Sequence, residues 1–330
     1  MKKLIDNVGA IFLVVASVVG AGFISGREHL SFFGVNGYFL NLIISFLFFI
    51  LSYIVVGFCA KQTTDFSCFC NRVFYGDKFI KISVYICCFL SSCVMASVID
   101  GLLEFINPIK GVPVYSTLAL IVVVLLSSKG EKNAKIVGLI LLPIVLVSIV
   151  VVSLISPNFA VDFNVSLSPN SLVKALLYST MNIFLNLPII FDSVKGKTTK
   201  TMIINGVFIT IILFVQSLMI LSVMSGSKLQ FLSTEIPFFM AIGGNKTLFN
   251  LLCLTAVLTS LMTVIYPLCQ VVQKWGVVWG KSVLVTGCVL LSMVGVGIVV
   301  DFVYPVIGAV GCLFLTKCVY FLIKENSKRV

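Results

Sequence analysis

The feature that most constrains this chain is a succession of apolar stretches, each about as long as a membrane-crossing helix, which takes roughly 20 residues. From Tyr38 to Ala60, for example, no residue is charged. Across 330 residues, 59% are hydrophobic, 11% are charged and the mean hydropathy is +1.16. Soluble domains usually have about 45–50% apolar and about 25% charged residues. The sequence therefore excludes an ordinary cytosolic enzyme and predicts an all-α polytopic membrane protein.

The apolar pattern predicts ten transmembrane helices in a single transmembrane domain, residues 1–330, with short connections. The expected spans are Val8–Phe33, Tyr38–Ala60, Phe79–Phe105, Val114–Ser127, Ile136–Ile155, Leu172–Val194, Met202–Met224, Leu248–Val272, Ser282–Val300 and Phe302–Ile323. The fourth span is short for a bilayer, and its assignment depends on the distribution of charge.

Lysine and arginine residues set the expected orientation. With ten spans and a cytoplasmic N-terminus, 17 of the 23 Lys and Arg residues fall in cytoplasmic segments or span ends. Four fall outside and two lie within spans. Removing the fourth span would invert every later loop and abolish this asymmetry, so the positive-inside rule favours ten spans with both termini cytoplasmic. The net charge of +11 thus reflects membrane topology, and no nucleic-acid partner is expected.

Two spans contain residues that interrupt a helix near mid-membrane. The first carries a Gly-Ala-Gly run at 20–22, and the sixth carries Asn182, Asn186 and Pro188. Glycine and proline both weaken a helix, although either also occurs as a notch or kink in unbroken membrane helices. Matched interruptions that open two five-span halves indicate a transporter binding site. The expected halves are residues 8–155 and 171–323, the second inverted relative to the first.

The first interruption lies in a segment that resembles a known family. Residues 18–33, Val-Val-Gly-Ala-Gly-Phe-Ile-Ser-Gly-Arg-Glu-His-Leu-Ser-Phe-Phe, are similar to the opening of the YkvI family of bacterial membrane proteins. Arg27 stands where that family usually has glutamine. Residues 178–182, Tyr-Ser-Thr-Met-Asn, fit the same family. The resemblance implies the amino acid–polyamine–organocation superfamily, a LeuT-type five-plus-five inverted repeat and the bacterial inner membrane, and it supplies no substrate.

A helix broken in mid-membrane offers a binding site for a dipolar solute. Free carbonyl groups end one half and free amide groups begin the other, and their partial charges attract cations and anions respectively. An amino acid would match both ends. The candidate substrate-binding residues, whose backbone would do most of the binding while the asparagine amides fix orientation, are Gly20, Ala21, Gly22, Phe23, Asn182 and Asn186.

Hydroxyl groups of the eighth span suggest a coupling ion, because oxygen atoms beside unwound carbonyls suit a small hard cation. In sodium-coupled members of the LeuT-like group, a hydroxyl pair on this span meets carbonyls of the first. By that likeness Thr259 and Ser260 would face Ala16 and Val19. The same hydroxyls often bond only to their own helix. Proton-coupled relatives often place a lysine on span five. Here that span is uncharged, which favours sodium or uncoupled exchange, and no other cofactor is expected.

Three ionisable residues, Arg27, Glu28 and His29, follow the first interruption and are expected near the outer vestibule. Charges within a membrane are costly, so they are functional candidates by default. Glu28 is a candidate gate or proton carrier, and Arg27 is a candidate partner for a carboxylate. The alternatives are a solvated pair at a watery mouth and, for His29, a place at the rim. Asp301 is expected in a tight outer turn between spans nine and ten.

No phosphate-binding loop, metal-ligand cluster or nucleophile–histidine pair is evident, so the sequence predicts no enzyme. The expected function is secondary active transport of a small zwitterionic or cationic solute by alternating access. One alternative is a germinant-type nutrient receptor subunit of the same superfamily, which binds without net transport. Another is a structural subunit, which predicts that spans one and six are continuous helices. The expected partners are the solute and the lipid bilayer, and the oligomeric state stays open.

Overall fold

The computed structural model describes residues 2–73, 78–104, 113–127, 131–164, 168–227, 237–242, 246–272, 276–293 and 296–327. Every regular element within these ranges is helical. A π-helical turn at Val299–Val303 separates the last two α-helices. The α-helices are, in chain order, α1 (Lys2–Val18), α2 (Ala21–Ser25), α3 (Arg27–Phe33), α4 (Tyr38–Lys61), α5 (Phe66–Val73), α6 (Lys78–Glu104), α7 (Val114–Ser127), α8 (Glu131–Ile155), α9 (Pro169–Leu185), α10 (Leu187–Val194), α11 (Thr199–Ser225), α12 (Pro237–Ala241), α13 (Lys246–Val272), α14 (Val277–Ser292), α15 (Val296–Ile298) and α16 (Tyr304–Ser327).

Several of these helices can cross a bilayer. Among the described residues, the segments long and apolar enough to do so are Tyr38–Lys61, Ile82–Ile99, Gly138–Ile155, Thr199–Ser225 and Val299–Glu325. The bent pair α9–α10 makes a sixth when it is counted as one span. Shorter apolar helices occur at Asp6–Val18, Val114–Ser127, Leu254–Cys269 and Val278–Ser292. The chain is therefore a multi-pass membrane protein, while the count of ten spans and the two inverted halves stay predictions. Phe105, the expected end of span three, lies outside the described residues.

The outer surface of the helices is apolar, as contact with lipid requires. On α8, Ile140, Ile144 and Val147 are exposed, whereas Leu142 and Val145 are buried. Residues three and four apart share a helix face, so α8 presents one apolar face to the surroundings and another to the protein. A patch of this kind is rare on a soluble monomer.

Glycines allow α16 to lie directly against α9. A Cβ atom on Gly308 would lie 2.6 Å from the carbonyl oxygen of Leu177, and one on Gly311 would lie 2.5 Å from that of Thr180. The Thr180 hydroxyl donates to the carbonyl of Gly308 at 2.8 Å. Small residues permit this close approach of membrane helices. The contact fixes the first half of the sixth predicted span against the tenth.

The chain between the last two predicted spans departs from expectation. α14 ends at Ser292, helix resumes at Val296, and Asp301 lies inside the π-helical turn. The expected tight turn around Asp301 is therefore wrong, because the helix that carries it begins earlier. A π-helical turn inside a helix is uncommon and often marks a functional position.

Candidate functional site

The first predicted span is broken at the Gly-Ala-Gly run. α1 ends at Val18, Gly20 is extended (φ −99°, ψ −166°), and α2 begins at Ala21. The N–H of Gly20 donates to the carbonyl of Val18 at 2.7 Å. The carbonyl of Ala16 therefore loses the donor that a continuous helix would supply. A second interruption follows at Gly26, whose φ of +78° is left-handed and favours glycine.

The sixth predicted span is broken as well. α9 and α10 are bent by 69° where they meet at Asn186. Pro188 occupies the second position of α10, where its missing N–H would have no helical acceptor. The structural-subunit alternative predicted continuous helices in spans one and six, and both breaks contradict it.

The two asparagines of this break direct their amide nitrogens into their own helix. Asn182 Nδ2 donates to the carbonyl of Tyr178 at 3.0 Å, and Asn186 Nδ2 donates to the carbonyl of Asn182 at 2.8 Å. The Oδ1 atom of Asn186 is buried and has no hydrogen-bond partner among the described residues. Each amide nitrogen thus has one of its two N–H groups engaged, and Asn186 Oδ1 is left as an acceptor for a neighbouring group.

A narrow cavity lies between the two breaks. It brings together four of the predicted substrate residues, Gly20 and Gly22 from one break with Asn182 and Asn186 from the other. Among the described residues, the lining consists of Ser17, Val18, Gly20, Gly22, Glu28, Ser91, Met95, Asn182, Leu185, Asn186 and Tyr304. The sequence thus predicted the two segments that meet at this cavity.

Six lining residues are not among the predicted site residues, and three of these, Ser91, Met95 and Tyr304, lie outside the two broken spans. Ser91 and Met95 lie four residues apart on α6, so they share a face. A serine in the middle of an apolar span is a signal that could have identified this face. Tyr304 begins α16, directly after the π-helical turn, and carries no comparable local signal.

Glu28 reaches the cavity rather than a watery mouth. It lies in the first turn of α3 and is only 5% exposed. A Cβ atom on Gly22 would lie 2.9 Å from Glu28 Cδ, so the carboxyl group covers the broken backbone. Its Oε2 atom is buried without a hydrogen-bond partner among the described residues. The expected position near the vestibule is wrong because the left-handed turn at Gly26 redirects α3.

Arg27 forms an ion pair with Asp301 and so joins α3 to the π-helical turn. The side chains are 19% and 32% exposed, respectively. Part of the pair is therefore shielded from water, and its attraction is stronger than that of a fully solvated pair. The structure thus supplies the carboxylate that Arg27 was expected to meet.

Phe23 and His29 pack together beside the cavity. Their ring centroids lie 4.5 Å apart in an edge-to-face arrangement, and His29 Nε2 lies 2.9 Å from Ser217 Oγ. His29 is fully buried, so the expectation of a place at the rim is wrong. Phe23, a predicted substrate residue, is buried and is not part of the cavity lining. Ala21, another predicted substrate residue, begins α2.

Of the four residues predicted to bind a cation, three have oxygen atoms close together. Ser260 Oγ lies 2.6 Å from the carbonyl oxygens of both Ala16 and Val19. One hydroxyl has one proton and can donate to only one of them. The neighbouring Thr259 hydroxyl donates to Thr255 in its own helix at 2.6 Å. Three buried neutral oxygens close together fit a hard cation, for which oxygen is the preferred ligand.

No protein-family model and no curated protein matches the chain. Among solved structures, the chain is similar to MhsT in a crystal structure in complex with L-phenylalanine. The TM-score is 0.66 over 93% of this chain and 87% of the MhsT chain, at 14% sequence identity. This likeness establishes a LeuT-type fold. Membership of the YkvI family stays a prediction.

Proposed function

We propose that this protein is a secondary active transporter of a small zwitterionic or cationic solute, an amino acid or an amine, across the bacterial inner membrane. The observation that carries the proposal is the convergence of two helix breaks on one cavity, through Gly20 and Gly22 on one side and Asn182 and Asn186 on the other. Discontinuous helices at such a point are typical of transporter binding sites. The MhsT structure, a complex with L-phenylalanine, supports an amino acid or an amine as the class of solute.

The chemistry of the cavity suits a polar solute that must later be released. Backbone groups at a helix break offer partial charges and hydrogen bonds without a full buried charge. Asn186 Oδ1 adds a buried acceptor that lacks a partner among the described residues. A buried polar group without a partner is costly, so a solute that supplies a donor gains free energy from it.

Sodium is the coupling ion we propose, held by the carbonyls of Ala16 and Val19 with the hydroxyls of Ser260 and Thr259. The carbonyls belong to the broken first span, and the hydroxyls belong to α13. An ion between them would tie these two helices together, and its release would free them to separate. Ion and solute would then favour the same arrangement of the break, which is the requirement for coupling between two sites.

Arg27 and Asp301 would form the outer gate, in a topology with both termini cytoplasmic. Their ion pair joins α3, which follows the first break, to the π-helical turn of the last span. Partly exposed ion pairs contribute little free energy, commonly about 0.2–1 kcal/mol. A contact of this strength can be broken in every transport cycle.

Flux measurements in proteoliposomes test the proposal. With an inward sodium gradient, radiolabelled L-leucine, L-phenylalanine, isopentylamine and phenethylamine are offered to the full-length protein. We expect uptake or exchange of at least one compound, and loss of it in Gly22→Val, because a Cβ there displaces the Glu28 carboxyl group. Gly138→Val is the matched control, since a Cβ at Gly138 has no neighbour within 4 Å.

The flux measurements distinguish loss of folding, loss of the binding site and binding without transport. Equal reconstitution of both variants, checked by gel filtration, shows that loss of flux is not loss of folding. Unchanged flux in Gly22→Val contradicts the assignment of the binding site. Ligand-dependent stabilisation without accumulation or exchange contradicts transport and favours the receptor alternative, because binding alone stabilises the folded state.

A further inference from the structure

One carboxyl group in the central cavity lacks the partner that buried charges require. Glu28 is 5% exposed and lines the cavity, and its Oε2 atom has no hydrogen-bond partner among the described residues. A buried carboxylate is stable only when a cation pairs with it or a proton neutralises it. Few side chains near Glu28 are able to supply that positive charge.

The basic residues next to Glu28 are engaged elsewhere. Arg27 pairs with Asp301, and His29 Nε2 meets the hydroxyl of Ser217. Among the described residues that line the cavity, none is a lysine, an arginine or a histidine. The charge that neutralises Glu28, a proton or a cationic solute, must therefore come from outside the cavity wall.

Two buried oxygen atoms of residues in the cavity wall lack hydrogen-bond partners among the described residues. They are Glu28 Oε2 and Asn186 Oδ1, and both belong to residues that line the cavity. The amide nitrogen of Asn186 donates one of its two N–H groups within its own helix. An ammonium group carries three N–H donors and no acceptor, so it supplies what these two oxygens lack. Hydrogen bonds between ionised partners are also the strongest of their kind.

A zwitterionic amino acid fits the two oxygen atoms of Glu28 and Asn186 less well than an amine does. Its carboxylate would come close to the Glu28 carboxylate, and like charges repel strongly where water is excluded. The backbone around Gly22, which could otherwise bind a solute carboxylate, is covered by the Glu28 carboxyl group. The protein thus supplies its own carboxylate at the place where an amino acid would present one.

We propose that Glu28 is the counter-charge for the ammonium group of the solute, and that the solute is a compact amine without a carboxylate of its own. This inference rests on the proposed transport function and narrows its substrate class. Glu28 contacts the solute directly, while Asn186 accepts a second hydrogen bond from the same ammonium group. The gating or proton-carrying role expected for Glu28 from sequence is replaced by recognition.

Matched pairs of compounds test the inference on the purified full-length protein. L-Valine, L-leucine and L-phenylalanine are each compared with the amine that lacks only the carboxylate, namely isobutylamine, isopentylamine and phenethylamine. We expect at least one amine to raise the Tm in a concentration-dependent way, and its amino acid to have little effect. The uncharged 3-methylbutan-1-ol, similar in shape to isopentylamine, should have no effect on the wild-type protein.

Variants of Glu28 separate charge from shape. Glu28→Gln keeps the size of the side chain and removes the charge, and amine affinity should fall about 30-fold or more. Glu28→Asp keeps the charge on a shorter side chain and should retain weaker binding. Asp65→Asn is the control: it removes a carboxylate from the N-terminus of α5, outside the cavity, and asparagine can still cap that helix.

Three results would overturn the inference: no response to any amine, an amine response that survives in Glu28→Gln, or equal responses to amine and alcohol. The transport proposal is judged separately from these results. If an amino acid stabilises the wild-type protein and Glu28→Gln alike, the cavity binds zwitterions and the proposed transport function stands without the counter-charge. If Glu28→Gln does not fold, the amine–alcohol comparison on the wild-type protein still decides.

Discussion

Replacing Gly308 and Gly311 together by alanine should destabilise the protein through the contact between α9 and α16. The new Cβ atoms would lie 2.6 Å and 2.5 Å from carbonyl oxygens of α9, whereas ordinary contact begins at 3.4 Å. Because backbone atoms cannot rotate aside, the helices must separate by about 0.9 Å. Overpacking costs about 1–3 kcal/mol per site, and alanine recovers about 0.5–1 kcal/mol per glycine.

The two costs do not add fully, since one separation of the helices relieves both clashes. We therefore expect a net loss of about 2 kcal/mol for the double variant. For large domains about 1 kcal/mol corresponds to roughly 2 °C, so the Tm should fall by about 4 °C. Solute binding should weaken as well, because α9 carries Asn182 and leads into Asn186.

A thermal unfolding assay on the purified protein, with a matched double variant, measures this effect. Gly9→Ala with Gly138→Ala adds the same two methyl groups where their nearest neighbour is 3.7 Å away or absent. That control should match or exceed the wild-type Tm, because it gains helix propensity without a clash. A Gly308→Ala/Gly311→Ala protein as stable as this control would refute the reasoning from close backbone contact.

Three further predictions concern the ion, the gate and acid stability. Ser260→Ala should abolish the stabilisation of the protein by sodium. Ser292→Ala is the control and should preserve it, because that hydroxyl is bonded within its own turn. Equal responses of the two variants to sodium would contradict the cation site. Arg27→Ala and Asp301→Ala should each accelerate solute release, and the double variant should be no faster than either; additive rates would show that the two residues do not act as a pair. Two loop N–H groups lower the pKa of the exposed Asp162 carboxyl below its ordinary value of 3.8. The pKa of Asp162 is lower in the folded protein than in the unfolded chain. The carboxylate therefore stabilises the fold above pH 3.8, and this contribution is lost as the pH falls through the folded-state pKa. The Tm of the wild-type protein should therefore fall more steeply in acid than that of Asp162→Ala, and parallel curves would contradict this.

Sequence reasoning predicted the features that local chemistry controls. The Gly-Ala-Gly run at 20–22 and the segment that contains Asn186 and Pro188 interrupt their helices, as expected of residues that weaken a helix. The bounds of α7, Val114–Ser127, agree with those predicted for the fourth span. Residues of both segments line one cavity, and the binding site predicted there stays a prediction.

The positions of the ionisable side chains could not be predicted in the same way. Glu28 faces the cavity because Gly26 adopts a left-handed conformation, and no periodicity in the sequence reports that angle. His29 is buried for the same reason. Asp301 meets Arg27 through a π-helical turn, whose extra residue changes the face on which the later side chains lie. Tertiary geometry, rather than spacing, determines each of these outcomes.

Both helix breaks leave backbone groups that the protein partly satisfies with its own side chains. The Ser260 hydroxyl reaches the carbonyls of Ala16 and Val19, and the Asn186 amide nitrogen donates to the carbonyl of Asn182. Unsatisfied backbone groups in a membrane interior are costly, so these bonds are what make a broken span tolerable. A solute or an ion can then gain only the difference between its own contacts and those it replaces. Binding is therefore moderated by the same bonds that stabilise the breaks, which agrees with the proposed function, in which the site must release its solute.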